Sequence, residues 1–327
     1  GVLQLATGGG KTEVAIALYQ TFPYPTIFFV QYKQLLDQTA GRFRSYGINP
    51  GIIGDGQYEP VQGGLNVATV QTVTSILKKG NTGLSKLLHD TRQVFFDEAH
   101  GIAATVEKGN SFVKIAGYMP NAYARWGLTA TPFMRDEYSN NLLMGVTGEV
   151  LFKVGSEQLI AQGYLTMPEI TMIKSPIVPC KNSWPECYDN GIVLNPGRND
   201  QIAAAVQKGP KPCLIMTTQV AHARMIEKRL LASGVKAGYL DGECSTVERN
   251  QKLADLVLGK LEASVCTTIF NAGVDIPQLQ AIVLAGGGRS KVAQLQKLGR
   301  GLRRSIGKPK VVITDFWDTS TKTLERH

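Results

Sequence analysis

The chain has 327 residues, of which 43% are apolar and 19% charged, and its formal net charge is +9. This length allows two sizeable domains, and the composition is that of a globular protein rather than a disordered or fibrous one. No apolar run is long enough to cross a bilayer and no secretory leader opens the sequence, so we expect no membrane association.

The five cysteines are scattered, and no Cys-x-x-Cys pair accompanies the four histidines, so we expect no zinc site. Cys180 and Cys187 could bridge in an oxidising compartment, but two reduced thiols in a loop are the favoured interpretation. We therefore expect the cytoplasm of a bacterial or phage-infected cell, or the nucleus if the source is eukaryotic.

The positive charge is concentrated in the second half of the chain. Residues 1–167 hold 13 Lys and Arg against 12 Asp and Glu, a net charge of +1, whereas residues 168–327 hold 22 against 14, a net charge of +8. A basic second half favours a polyanionic partner such as nucleic acid, although basic surfaces also serve solubility alone.

Short apolar runs alternate with helical patterns along most of the chain, which predicts an α/β fold with parallel sheets. In the first half the predicted strands are Gly1–Ala6, Thr26–Val30, Leu65–Thr69, Gln93–Phe96 and Arg125–Leu128, and the predicted helices include Thr12–Thr21 and Lys33–Tyr46. In the second half the predicted strands are Pro168–Ile173, Pro212–Met216, Lys236–Tyr239, Ala263–Thr267, Ala281–Leu284 and Lys310–Ile313, with helices at Val220–Ala232 and Thr246–Leu258.

Residues 167–196 separate the two halves, with five prolines and little periodicity. We predict one domain over residues 1–166 and a second over residues 167–327, with an irregular insertion at about residues 174–196.

A glycine-rich loop follows the first predicted strand and leads into a helix. It reads Thr7-Gly8-Gly9-Gly10-Lys11-Thr12, a composition that lets backbone N–H groups point at phosphate oxygens beside a helix N-terminus. Lys11 would reach the β- and γ-phosphates and the Thr12 hydroxyl would ligate Mg²⁺. Leu5 stands where the strict form of the motif has glycine. The loop predicts nucleotide binding rather than a glycine-rich turn without a ligand.

Two acids end a predicted strand at Asp97 and Glu98, within Asp97-Glu98-Ala99-His100. The carboxyl edge of a parallel sheet is where such folds bind ligands. Asp97 would hold Mg²⁺ through water, and Glu98 would orient and deprotonate the attacking water. Taken alone the pair is more often a solvated turn, but the upstream phosphate loop favours the functional interpretation.

Two further motifs follow. The hydroxyls of Thr129 and Thr131, in Leu-Thr-Ala-Thr-Pro, could link the acid pair to the second domain. Arg300 and Arg303, in Gln-x-x-Gly-Arg-x-x-Arg, lie three residues apart on a predicted helix, so they share a face and could stabilise charge on a transferring phosphoryl group. The alternative is an exposed basic helix that binds phosphate backbone.

These motifs, together with Ala272-Gly273-Val274-Asp275-Ile276-Pro277, occur in the order found in superfamily 2 helicases, and the chain resembles that family from Gly1 to about Phe316. The acidic motif is similar to its DEAH box, and Gly145–Leu165 looks like the DNA-directed branch, which includes repair and phage branch-migration helicases. The resemblance implies two tandem RecA-like domains with parallel sheets, an ATP cleft between them, and ATP with Mg²⁺ as cofactors.

The resemblance also implies roles for single residues. Catalysis would rest on Lys11, Glu98, Arg300 and Arg303, and ATP binding on Thr7, Gly8, Gly9, Gly10, Lys11, Thr12, Gly273 and Asp275. Thr12 and Asp97 would hold the metal, and coupling between ATP and nucleic acid would use His100, Thr129, Thr131 and Gln296. Nucleic-acid contacts would fall on Gln31, Lys33, Thr69, Gln71, Thr72, Thr217, Thr218, Thr268 and Asn271. The segment with Gly273 and Asp275 has an equally good alternative as a polar strand-to-helix loop.

Many relatives have Pro-Thr where this chain has Gln31-Tyr32, so a contacting threonine is absent here. The family's adenine-recognising glutamine lies upstream of the phosphate loop, often with a DNA-recognition domain. We expect both to precede this sequence in the same protein, and we expect a monomer.

The favoured function is an ATP-dependent DNA helicase or translocase acting on duplex, forked or single-stranded DNA. An ATP-dependent RNA helicase is the alternative, although the RNA helicases favour an Asp-Glu-Ala-Asp box. A scaffold without ATPase activity would need damage to Lys11, Glu98 or Arg303, and all three are present. The motifs of the second half argue against a small-molecule kinase.

Overall fold

The structure of the protein is a computed structural model that describes residues 1–104, 111–134, 136–180, 183–240, 244, 246–267, 276, 278–287, 304–305 and 308–325. The chain divides into two compact units, Gly1–Leu159 and Ile160–His327. Within the described ranges, no helix is long and apolar enough to cross a lipid bilayer.

The first unit is built on a sheet of parallel strands with one antiparallel strand at its edge. Its strands are β1 (Val2–Leu5), β2 (Thr26–Val30), β3 (Gly51–Gly54), β4 (Gln57–Glu59), β5 (Leu65–Thr69), β6 (Gln93–Asp97), β7 (Ala124–Thr129) and β8 (Val150–Val154). Their order across the sheet is β4-β3-β5-β2-β6-β7-β1-β8, and only the pairing of β3 with β4 is antiparallel among the described pairs. The carboxyl ends of β1, β2, β5, β6 and β7 therefore meet at one edge.

Helices connect these strands. They are α1 (Lys11–Thr21), α2 (Lys33–Arg44), α3 (Val70–Lys78), α4 (Thr82–Asp90), a 3-10 helix (Ala99–Ala104), α5 (Ser111–Gly117), α6 (Glu137–Thr147) and α7 (Ser156–Ala161). Side chains cap two of their starts, because Asn81 accepts a hydrogen bond from the Leu84 amide and Asp136 accepts one from the Ser139 amide.

The central strands are buried on both faces. In β2, Ile27 and Phe29 pack in a core on one face of the sheet, while Phe28 and Val30 pack in a core on the other. Successive strand side chains point to opposite faces, so a strand covered on both sides is apolar throughout. This is why the continuous apolar run at Thr26–Val30 predicted a strand correctly.

The second unit has a sheet whose described pairings are all parallel. Its strands are β9 (Met167–Lys174), β10 (Cys213–Met216), β11 (Ala237–Leu240), β12 (Ala263–Cys266), β13 (Ala281–Leu284) and β14 (Lys310–Trp317), in the order β11-β12-β10-β13-β14-β9. The described helices are α8 (Trp184–Tyr188), which runs into a π-helix (Asp189–Val193), α9 (Pro196–Lys208), α10 (Val220–Ala232), α11 (Thr246–Val257) and α12 (Lys322–Glu325). One core joins α9 and α10 to this sheet.

The stretch predicted as an irregular insertion contains α8 and the π-helix. Cys187 and Ile192 from this stretch pack against Leu324 of α12. Asn195 accepts a hydrogen bond from the Arg198 amide and so caps α9, which begins at Pro196, a residue suited to the first turn of a helix.

The predicted α/β class with parallel sheets is confirmed. Three strands were missed: β3, β4 and β8. The first two are short, and β8 lies at an edge of its sheet, where its short apolar run Val150–Phe152 is mostly exposed and ends at Lys153. The strand predicted over Lys310–Ile313 continues to Trp317, because its pairing with β9 extends past the apolar run.

Candidate ATP-binding and catalytic site

The glycine-rich loop joins β1 to α1. Gly8 and Gly10 have φ angles of 82° and 77°, in the left-handed region that favours glycine. A Cβ on Gly9 would lie 2.8 Å from the carbonyl oxygen of Ala6, so the backbone is too close there for any side chain. The loop is therefore folded tightly because of its glycines.

Helix α1 begins directly after this loop at Lys11, and no side chain caps its first turn. The first amides of a helix lack partners within the helix, and the helix dipole places partial positive charge there. The start of α1 therefore offers N–H groups to an anion.

The carboxyl end of β6 carries the two acids. Asp97 is the last residue of the strand, and Glu98 has a φ of 48°, which is uncommon for a residue with a side chain. Oε1 of Glu98 lies 2.6 Å from Nζ of Lys11, and both side chains are mostly buried, with exposures of 25% and 13%. The sheet thus brings the predicted phosphate-binding lysine and the predicted general base into contact.

Asp97 has a perturbed pKa. Burial raises the pKa of its carboxyl group to about 6, and the neighbouring charge of Lys11 opposes that rise. The Asp97 Oδ1 also accepts a hydrogen bond from the Glu98 amide at 3.0 Å, which favours the ionised form. A cation bound beside Asp97 would likewise favour the carboxylate.

His100 and Thr129 connect the acid pair to β7. Nδ1 of His100 lies 3.0 Å from the Thr129 hydroxyl and 3.4 Å from Oε2 of Glu98. The Thr129 hydroxyl also accepts a hydrogen bond from the Thr131 amide at 3.2 Å. The three residues predicted for coupling in this unit therefore lie in one hydrogen-bonded group next to Glu98.

Two buried hydroxyl groups at this edge lack a hydrogen-bond partner within the described part of the chain. They belong to Thr7, in the phosphate loop, and Thr131, after β7. Because buried polar groups are nearly always satisfied, each is a candidate to bind a ligand or an ordered water. Thr12, predicted to bind the metal, is half-buried in the first turn of α1.

Residues predicted to contact nucleic acid in the first unit follow β2 and β5. Lys33 is exposed and pairs with Asp55 at 2.8 Å, and Gln71 is also exposed. The hydroxyl of Thr69 is buried and donates to that of Thr72 at 2.8 Å. Lys33 and Gln71 are therefore accessible to a partner, whereas the hydroxyl of Thr69 is engaged with that of Thr72 in the first turn of α3.

Gln31 lies against the turn at Glu98 that follows β6. Its Nε2 donates a hydrogen bond to the carbonyl oxygen of Glu98 at 3.0 Å. A Cβ on Gly101 would lie 1.8 Å from that same Nε2. Neither this contact nor the importance of Gly101 was predicted from the sequence. A glycine directly after the acidic motif could have indicated that another group approaches the backbone closely there.

In the second unit, Thr217 and Thr218 follow β10. Thr217 is buried, and its hydroxyl donates to the carbonyl oxygen of Cys266 at 3.2 Å. Thr218 is exposed, and its hydroxyl is hydrogen-bonded to that of Tyr188 in α8. Thr218 is therefore the more accessible of the two.

The remaining predicted site residues of the second unit lie outside the described residues. They are Thr268, Asn271, Gly273, Asp275, Gln296, Arg300 and Arg303.

Comparison with protein families gives two matches in chain order. Residues 1–134 match the family "Type III restriction enzyme, res subunit", and residues 198–305 match "Helicase conserved C-terminal domain". The first match contains the phosphate loop and the acid pair. The second contains the predicted arginine motif.

Similar proteins and structures agree with these matches. A predicted helicase of Sulfolobus islandicus filamentous virus, helicase 22, is 26% identical over 96% of this chain and 60% of its own length. The ATP-dependent DNA helicase uvsW of Enterobacteria phage T4 is 26% identical over 98% of this chain and 65% of its own. The chain thus spans less than two thirds of either relative.

Among solved structures, a fragment of a predicted HsdR subunit of a type I restriction enzyme from Vibrio vulnificus YJ016 has the same fold. The TM-score is 0.72 at 18% sequence identity, and the match covers all of this chain and 61% of that one. The two α/β units are RecA-like domains in tandem. With these two family matches in this order, the chain is similar to superfamily 2 helicases, among them helicases of phages and DNA repair.

Proposed function

We propose that this chain is the motor of an ATP-dependent DNA helicase or translocase that hydrolyses ATP to move along or remodel DNA. The observation that carries the proposal is the 2.6 Å contact between Lys11, beside a phosphate-binding loop, and Glu98, directly after strand β6. The family supports it, because helicases share this chemistry, and so does the name of the T4 relative, a DNA helicase.

We assign residues 1–166 to the ATP-binding domain, with a DEAH box at Asp97–His100, and residues 167–327 to the C-terminal helicase domain. The tight loop, the uncapped start of α1 and the unpartnered hydroxyl of Thr7 fit a triphosphate. Thr12 and Asp97 fit Mg²⁺, because hydroxyl and carboxylate oxygens are its preferred ligands. The metal would neutralise charge on the phosphates.

Residues of the chain itself then have separate roles in ATP hydrolysis. Lys11 binds the β- and γ-phosphates, which draws its ammonium group from Glu98. Glu98 orients a water molecule and accepts its proton as the water oxygen bonds to the γ-phosphorus and the bond from that phosphorus to the β–γ bridging oxygen breaks, which releases ADP and phosphate. His100, held by Thr129, keeps the second carboxylate oxygen of Glu98 in place.

For the second domain we propose that Arg300 and Arg303 stabilise charge on the γ-phosphoryl group and that Gly273 and Asp275 contact the nucleotide. The sequence motif and the helicase match support this assignment. An Arg303→Ala variant should lose hydrolysis by at least about a thousandfold and keep DNA affinity within a few-fold. The opposite pattern would assign this helix to the phosphate backbone of DNA.

DNA contacts are proposed for Lys33, Gln71 and Thr72 in the first domain and Thr218 in the second. The set implied by the family resemblance also includes Gln31, Thr69, Thr217, Thr268 and Asn271. We further propose a monomer, with an additional N-terminal domain of the same protein that takes part in substrate choice.

The test is steady-state ATP hydrolysis by the full-length protein with no nucleic acid and with single-stranded DNA, duplex DNA, forked DNA or RNA. Strong stimulation by DNA and none by RNA is the expected result. Stimulation by RNA alone would make the protein an RNA helicase. An ATP hydrolysis rate that is the same with and without each nucleic acid would contradict the proposal.

A further inference from the structure

The side chain of Gln31 connects two segments with different proposed tasks. It follows β2, which lies next to β6 in the sheet, and its Nε2 donates to the carbonyl oxygen of Glu98 at 3.0 Å. On its other side, the chain continues through Tyr32 to Lys33, both exposed, and Lys33 is the first residue of α2. One residue therefore touches the turn at Glu98 and adjoins the exposed start of α2.

The turn at Glu98 has a backbone conformation that costs free energy. A φ of 48° at Glu98 is a left-handed conformation that a residue with a side chain adopts only when its surroundings impose it. The Glu98 carbonyl oxygen accepts one hydrogen bond from the Gly101 amide at 2.8 Å and a second from Gln31. The first belongs to the turn itself, whereas the second comes from 67 residues away.

The Gln31 amide group occupies a space that a side chain at position 101 would fill. Gly101 is buried, and any Cβ there would overlap Nε2 of Gln31 at 1.8 Å and its Cδ at 2.9 Å. Alanine at position 101 would therefore displace the amide. The contact depends on a glycine and a glutamine together, each of which can be changed independently.

The direction of the Glu98 side chain depends on this turn. Its carboxylate contacts Lys11 at 2.6 Å and His100 at 3.4 Å, so a small rotation of the backbone changes both contacts. A general base must lie within hydrogen-bond distance of the water it deprotonates. A residue that fixes the Glu98 carbonyl therefore fixes the position of the base.

We propose that Gln31 is a positioning residue that couples the exposed start of α2, at Tyr32 and Lys33, to Glu98. Nucleic acid bound at Lys33 sets the position of this helix start, and Gln31 transmits that position to the turn of the general base. This rests on the proposed function of the chain. It differs from a role of Gln31 as a nucleic-acid contact, because the amide N–H is directed at Glu98.

The test compares Gln31→Met, which keeps the length of the side chain and removes the donor, with Gly101→Ala, which displaces the amide. The matched control is Gln38→Met, at an exposed position on α2. The measurements on the full-length protein are the ATPase kcat with and without saturating DNA, the KM for ATP, the dissociation constant for DNA, and the melting temperature.

In both variants the DNA-stimulated kcat should fall about fivefold, because the Glu98 carbonyl oxygen loses one neutral hydrogen bond. The KM for ATP and the dissociation constant for DNA should stay within about twofold of wild type, as should all parameters of Gln38→Met. Lys33→Ala should instead weaken DNA binding.

A Gln31→Met protein that binds DNA more weakly but reaches the wild-type kcat at saturating DNA would overturn the proposal and make Gln31 a nucleic-acid contact. Wild-type stimulation in both variants would overturn it as well. If the wild-type enzyme itself ignores all nucleic acids, the proposed function of the chain fails, and with it the coupling. These failures are distinguished by the wild-type measurement.

Discussion

Nζ of Lys11 lies 2.6 Å from Oε1 of Glu98, although 87 residues separate them in the chain. Their strands, β1 and β6, flank β7 in the sheet, so the two side chains reach each other across the carboxyl edge. A triphosphate on the loop would compete for the Lys11 ammonium group and release the Glu98 carboxylate. In the proposed reaction, the ion pair would thus link ATP binding to the release of the general base.

The Glu98→Gln variant tests the role of this carboxylate. An amide keeps the shape but accepts no proton, so we expect hydrolysis to fall by about 10²- to 10⁴-fold while ATP and DNA still bind. Steady-state ATPase assays and binding of a fluorescent ATP analogue measure the two effects. Wild-type turnover would contradict the assignment of Glu98 as general base.

The Gly9→Ala variant tests the phosphate loop. The added Cβ would lie 2.8 Å from the Ala6 carbonyl oxygen and 3.0 Å from Cδ1 of Leu159, so the loop must shift. We expect ATP binding to weaken by at least about tenfold, because a shift of the backbone misaligns the N–H groups that hold phosphate.

Gly41→Ala is the matched control for that change. Gly41 lies in α2, where a Cβ would meet nothing within 4 Å. Alanine is favoured over glycine in a helix by about 1 kcal/mol, so the melting temperature should stay equal or rise and ATP affinity should not change. Equal ATP affinity in Gly9→Ala and Gly41→Ala would show that the loop tolerates a side chain.

The Asp318→Asn variant tests a buried ion pair in the second unit. Arg198 is 0% exposed and its Nε donates to Asp318 at 2.8 Å, while its Nη1 donates to the Ala285 carbonyl oxygen at 2.7 Å. Removing one partner leaves an uncompensated buried charge, so we expect a loss of about 3–5 kcal/mol in the free energy of unfolding of this unit.

Urea denaturation in a Trp126→Phe background measures that loss, because the two remaining tryptophans, Trp184 and Trp317, lie in the second unit. The comparison is Asp200→Asn, which breaks the ion pair with Arg229 on the surface. That change should cost less than about 1 kcal/mol. Similar losses in both variants would contradict the difference attributed to burial.

His222 should make the second unit sensitive to acid. Its Nε2 is hydrogen-bonded to Asn199 at 2.9 Å, and burial lowers its pKa from 6.5 to about 3, aided by the charge of Arg198. Between these values the unfolded chain binds a proton that the folded chain does not. Stability is therefore complete above about pH 6.5 and falls by about 1.4 kcal/mol per unit as the pH drops towards 3.

His222→Gln removes this titration while its amide can still donate to Asn199. The free energy of unfolding, measured by the same tryptophan fluorescence from pH 7.5 to 4, should fall less steeply with acid than in the wild type. His89→Gln, at an exposed position on α4, is the control. Equal slopes for wild type and His222→Gln would contradict the assignment.

The sequence predicted the α/β class and most central strands, because a strand covered on both faces is a continuous apolar run. Val220–Ala232 and Ala281–Leu284 match the structure at both ends. The edge strand β8 is interrupted by Lys153 and mostly exposed, and it was missed. Placement of Thr7 to Thr12 and of Asp97 and Glu98 at one sheet edge was also predictable, because parallel strands share a carboxyl edge.

The sequence alone therefore determined where the buried strands lie along the chain and the chemistry of the loops between them, since both follow from local composition. Tertiary structure decided which side chains meet: Lys11 with Glu98, Gln31 with the Glu98 carbonyl, and Arg198 with Asp318. The residues of each pair are far apart in the chain, and their contact depends on strand order and burial. Strand order and burial arise only in the assembled sheet, because the sequence of one strand does not identify the distant strand with which it pairs.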